Sequence, residues 1–302
     1  MKTSFIKTPF YKKSFFKKAA IRAFLVMAFF AVSCSSLSID PTRALVGAIE
    51  SGMAWSRASE DFTPEQEYYL GRAVGANILS FYTVYTARPA LTNYVNRICQ
   101  TIAINSPQPD IYNGYHVAIL DSDEINGFAT SGGHIFLTRG LIACAESEDA
   151  LAAVIAHEIA HILLQHSLEA IKKSRKTQAI LTTAGSIAGA IDNENIAALT
   201  DAFGESIQSA ISTMVNSGYA QEQEFDADKT ALALLADAGY DPAALIEMLT
   251  VLKTNQGRQP NKGFAKTHPS PQARIDSAAS AVSAYAVNDT RSFRNARFRQ
   301  SM

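Results

Sequence analysis

Residues 150–166 read ALAAVIAHEIAHILLQH. Apolar residues surround two histidines and a glutamate, and Ser147-Glu148-Asp149 just upstream supplies a capping serine followed by acids for a first turn. The stretch predicts a buried helix over 147–165. At 3.6 residues per turn, His157 and His161 lie about 40° apart on one face. Both imidazoles can therefore reach one tetrahedral ion. Glu158 is one step round and points at the open coordination position, where a general base takes a proton from water. By average residue usage this pattern arises by chance about once in a hundred chains of this length. Two histidines and a glutamate buried without a partner would also be costly. The reading is one Zn2+ per chain, with His157 and His161 as ligands and Glu158 as base.

Such a site needs a third ligand. Glu224-Phe225-Asp226-Ala227-Asp228 falls in a second helical stretch, about 220–238, with Glu224 and Asp228 on one face. Glu224 can complete the metal site. Asp228, one turn on, can accept a hydrogen bond from a ligand imidazole and so fix its tautomer and orientation. Two acids four apart are common on solvated faces; beside the first pair they become specific. Glu222 and Asp226 read as that solvated face.

Working outward, Thr63-Pro64-Glu65-Gln66 signals a helix start leading to about Tyr82. A second helix fits 89–104 and stops at Ser106-Pro107. Strand-like runs follow at 115–120, 125–129 and 134–138, with a turn at Ser131-Gly132-Gly133, and suggest a small meander. Residues 171–219 are rich in small side chains and suggest two helices broken near 192–195. Later helices fit 242–253 and 270–285. The organisation is α+β and mainly helical, with a small β-sheet: a domain over 61–287 and a flexible basic tail over 288–302.

The N-terminus reads differently. Residues 1–33 carry seven basic side chains and no acid. Removing those charges from the net −1 leaves −8, which makes nucleic acid a poor partner. A ten-residue apolar core, 23–32, is too short to span a bilayer and reads as an export signal. It ends Ala31-Val32-Ser33-Cys34, which resembles a bacterial lipobox with Cys34 as the lipidated first mature residue. Ser35 after the Cys resembles lipoproteins of the outer membrane, and 34–60 then reads as a tether. The alternative is a signal peptide that releases a soluble periplasmic protein. Cys99 and Cys144 read as two buried thiols, with a disulfide as the other possibility in an oxidising compartment.

Several segments together resemble the HtpX-like zinc metallopeptidases (metallopeptidase family forty-eight), most closely the exported BepA/LoiP-like lipoprotein branch. They are Asn126-Gly127-Phe128-Ala129, Gly132-Gly133-His134-Ile135-Phe136-Leu137, the His157–His161 helix with His166, the Glu224–Asp228 helix, and His268-Pro269 with Arg274-Ile275. Gly127 stands where Ala is more usual, away from the chemistry by this reading. The resemblance implies a gluzincin-type fold and a zinc endopeptidase acting on misfolded or assembling envelope proteins at the periplasmic face of the outer membrane. It implies that the strand at Gly132, Gly133 and Ile135 is an edge that pairs with an extended substrate. It places His268 near the metal, either steadying the oxyanion or binding the metal at rest, with Arg274 holding that loop. His166 reads as a structural hydrogen-bonder. The rival is a zinc-stabilised chaperone or assembly factor, which needs the ligands but not Glu158. A further rival is an enzyme whose cleft is plugged by 171–219 or the His268 loop.

Overall fold

The helix that carries the two histidines is apolar all round, and a helix of that kind must be surrounded by protein. The computed structural model describes residues 61–189, 218–256, 263–268, 270–286 and 290–302, with isolated positions between 48 and 56 and at 212. The export signal 1–33, Cys34, most of the tether and most of 190–217 lie outside the described residues. In chain order the elements are α1 (Pro64–Phe81), α2 (Pro89–Ile104), β1 (His116–Leu120), β2 (Gly127–Thr130), β3 (His134–Thr138), α3 (Arg139–Ala143), α4 (Glu148–Leu163), α5 (His166–Gly189), α6 (Gln221–Asp237), α7 (Ala244–Gln256), α8 (Phe264–Thr267), α9 (Pro271–Val282) and α10 (Arg291–Ser301).

Helix starts follow local chemistry. Thr63 closes a capping box with Gln66, and the Ser147 hydroxyl accepts from the Ala150 amide at 3.1 Å. Every residue of α4 from Glu148 to Ile162 is buried. Sheet, α2, α6, α7 and α10 all pack around it. The run Glu148–Lys176 is long and apolar enough to cross a membrane, but 78% of its apolar window is buried inside the molecule, as befits a core helix.

The sheet is not the expected meander. Its order is β1-β3-β2, with β1 parallel and β2 antiparallel to β3. Gly132 and Gly133, at φ 77° and 89°, turn β2 tightly onto β3. On the outer side of β1, Asn96 of α2 imitates a neighbouring strand. Its amide donates to the Val117 carbonyl (2.8 Å) and its oxygen accepts from the Val117 amide (2.9 Å). Hence β3 is the central strand and β2 is the edge that faces α4.

Residues 291–301, expected within a flexible tail, form α10 instead. The reason is charge. Glu148 and Asp149 open α4 fully buried, and α10 supplies their partners. Arg294 holds Asp149 through two bonds of 2.6 and 2.8 Å, and Arg297 holds Glu148. Phe298 of the same helix enters the core. Cys99 is buried and Cys144 half-buried, and both thiols are free.

Candidate metal centre

α4 and α6 pack closely against each other, and their facing sides carry the two i, i+4 pairs. His157 Nε2 and His161 Nε2 are 3.0 Å apart. The Glu224 carboxylate lies 3.6 Å from His157 Nε2 and 3.5 Å from His161 Nε2. His268, just past α8, brings Nδ1 to 3.0 Å from Glu224 Oε1 and 3.4 Å from His157 Nε2. All four ligand atoms fall within 4.8 Å of one another. Ligands at roughly 2.0–2.1 Å around a tetrahedral ion stand about 3.4 Å apart, so this donor set fits such an ion.

A buried scaffold orients these ligands. Asp228 Oδ1 accepts from His157 Nδ1 at 3.0 Å, which turns Nε2 toward the cluster. Arg274 of α9 grips Asp228 through two bonds of 2.7 Å and reaches Glu224 Oε2 at 2.9 Å. His166 Nδ1 meets His161 Nδ1 at 2.8 Å and so sits behind a ligand, outside the donor set. Arg274 therefore joins α9 to both acids of α6, and its guanidinium lies 5.6 Å from the ring of Phe264, which opens the His268 loop.

The electrostatics also call for a cation. Glu158, Glu224 and Asp228 are buried opposite the single guanidinium of Arg274. With neutral imidazoles the centre is two charges short, which a divalent ion supplies. Both Glu158 oxygens are buried with no hydrogen-bond partner among the described residues, and burial raises its pKa. Burial pushes Glu224 the same way, yet His268 and Arg274 outweigh it and hold this carboxyl well below the usual range. Burial drives His161 well below its ordinary value, which favours the neutral form a metal needs.

Two expectations need correction. Gly132, Gly133 and Ile135 do not form a free edge, because β3 is paired on both sides and Ile135 is fully buried. Gly127 of β2 does touch the chemistry: a Cβ there would stand 2.9 Å from Glu158 Oε1. Glu148 and Asp149 are the first-turn acids of α4 as expected, and they also anchor α10. The sequence reading also missed Tyr219. Its ring stacks on His161, with centroids 4.3 Å apart, one residue before the start of the Glu224 helix. Nothing in a one-sequence pattern separates this tyrosine from an ordinary core residue.

The sequence profile of Peptidase family M48 matches residues 89–282, which include the sheet, both motif helices, His268 and Arg274. The chain belongs to that family. Members with curated names are similar to it. The Beta-barrel assembly-enhancing protease of Escherichia coli (strain K12) is 30% identical over 194 residues, covering 62% of this chain and 38% of its own length. Metalloprotease LoiP of the same organism is 30% identical over 192 residues, covering 63% of this chain and 71% of its own. A mitochondrial metalloendopeptidase of Schizosaccharomyces pombe is 30% identical over 185 residues, covering 61% and 51%. The chain thus spans well under half the length of the first of these relatives. Helices α1 and α10 lie outside the part that matches the family profile.

Proposed function

We propose that this chain is a zinc-dependent endopeptidase. His157, His161 and Glu224 would hold the ion, which when bound polarises a carbonyl and lowers the pKa of water to about 7. Glu158 takes a proton from the attacking water and passes it to the leaving amine. Asp228 and Arg274 keep the His157 and Glu224 donors aimed. The observation that carries this reading is Glu158. Its carboxylate is buried beside a four-donor cluster, 3.9 Å from His268 Nε2, with no hydrogen-bond partner among the described residues. A site that only bound metal for stability would have no use for it, which weighs against a pure chaperone.

The same geometry favours a closed resting state. His157, Glu158, His161, Glu224, Asp228, His268 and Arg274 are each no more than 2% exposed, and His268 Nδ1 stands 3.4 Å from His157 Nε2 as a fourth donor. The loop around His268 is held against the residues that lead into β2. The Phe264 amide donates to the Ile125 carbonyl at 2.6 Å, beside the β2 edge, and Thr267 Oγ1 donates to Asn126 Oδ1 at 3.1 Å. His268 thus reads as a fourth ligand at rest. β2, in place of β3, is the edge on which an extended substrate would pair once this loop moves aside.

Substrates would be misfolded or assembling proteins of the cell envelope. Support comes from the export-like N-terminus and from one relative, named as a β-barrel assembly-enhancing protease. An anchor at Cys34 would hold the enzyme on the periplasmic face of the outer membrane. Metal removal tests the core of the proposal. Purified protein with one equivalent of zinc should cleave an internally quenched peptide, lose that activity with a chelator, and regain it with zinc. Equal cleavage with and without the chelator would refute it.

A further inference from the structure

Among the described residues of the centre, one further polar group has no assigned task. The Tyr219 hydroxyl is buried without a hydrogen-bond partner among those residues. A buried unpaired phenol costs stability, so its retention calls for an explanation. The residue is held with care. Its ring stacks on ligand His161 at an interplanar angle of 20° and stands 6.3 Å from the His268 ring. Its amide donates to the Thr267 carbonyl at 3.2 Å, next to His268. That approach needs Gly218, where a Cβ would lie 2.4 Å from the Thr267 oxygen. The backbone thus fixes a phenol between the ligand helix α4, the ligand helix α6 and the loop that closes the site. A phenol hydroxyl can both donate and accept a hydrogen bond, and as a donor it suits an oxyanion.

We propose that the Tyr219 hydroxyl donates a hydrogen bond to the oxyanion of the tetrahedral intermediate, and that it lacks a partner in the closed form because that oxygen is absent. This rests on the endopeptidase reading above. As water oxygen bonds to the scissile carbonyl carbon, the carbonyl electron pair moves onto its oxygen. The phenol meets that growing charge without giving up its proton. Glu158 receives the water's proton and the leaving amine later takes it. With His268 withdrawn to admit substrate, the stacking of Tyr219 on His161 still keeps the phenol at the centre.

Tyr219→Phe tests this with three readouts. Zinc content should be unchanged and the melting temperature should not fall, because no bond is lost in the resting form. Turnover should drop about 100-fold with little change in KM, in line with loss of one oxyanion donor. Affinity for a phosphinic peptide, which mimics the tetrahedral state, should fall by a similar factor. Wild-type turnover and wild-type phosphinate affinity in the variant would overturn the inference while leaving the endopeptidase reading intact. No turnover by wild type itself would overturn that reading and this inference with it. Should the phenylalanine variant fail to fold, 3-fluorotyrosine at 219 keeps the ring and is a stronger donor. It should bind the phosphinate more tightly than wild type, and equal affinity would overturn the inference.

Discussion

At the scale of single residues, the site divides donors from the groups that aim them. His157→Ala and Glu224→Ala should abolish stoichiometric zinc, measured by metal analysis after dialysis. His268→Ala should retain it, because three protein ligands suffice for a catalytic site. The same His268 variant should cleave faster than wild type, about tenfold for each 1.4 kcal/mol the histidine contributes to the closed form. Full zinc retention in Glu224→Ala would remove the third-ligand assignment. Asp228→Asn should weaken zinc binding by about 10–100-fold, since His157 loses the acceptor that orients it. Titration offers a separate check. Burial and Arg274 press the His157 pKa down, but hydrogen bonds to Asp228 and Glu224 win and raise it to about 9 in the metal-free protein. The ordinary value is 6.5, so this group's stabilisation is complete below 6.5 and is lost as pH rises through 9. Burial raises Glu158 as well, and its contribution has the same sign. His161 and His166 are lowered, so their changes fall below this window. Metal binding needs neutral imidazole and strengthens over the same interval. The melting temperature of chelator-treated protein should therefore fall from pH 6.5 to 9 while the gain on adding zinc grows. Parallel curves with and without zinc would contradict the assignment.

At the scale of elements, most helices announce themselves and the contacts among them do not. Capping Thr63 and Ser147, the breaks at Ser106-Pro107 and Gly239, and the periodicity of 150–163 mark elements whose ends fall within a few residues of those expected. The same signals could not reveal strand order. Strand periodicity is identical for a meander and for a β1-β3-β2 sheet, and the Asn96 clamp that holds β1 outside lies in a distant helix. α10 was illegible for a related reason. Its arginines look like a solvated tail until Glu148 and Asp149 are seen buried beneath them. Arg294→Ala should leave Asp149 without its charge partner, at a cost of about 3 kcal/mol or more. That corresponds to a loss of roughly 6–12 °C in melting temperature for a domain of this size. An unchanged melting temperature would mean that α10 is an ornament on α4 and not its anchor.

At the scale of the whole molecule, α4 ties these features together. One end is clasped by the last helix and the other carries the metal cluster, while the sheet edge and the His268 loop flank its side. The two i, i+4 pairs made the metal centre legible because ligand spacing on a helix is a local property. The placement of the His268 loop and of Tyr219 was harder to see, since it depends on where residues 263–268 settle beside β2 and on a ring stacked on a ligand from outside both motifs. The central claim is that Glu158, buried with no hydrogen-bond partner among the described residues, makes this centre an enzyme and not a metal staple. Zinc-loaded wild type and Glu158→Gln, compared on casein at matched metal content, test it most directly. Wild type should cleave, and the variant should lose about 100-fold or more of that rate with zinc still bound. Equal rates for the two proteins, or no cleavage by either, would contradict it.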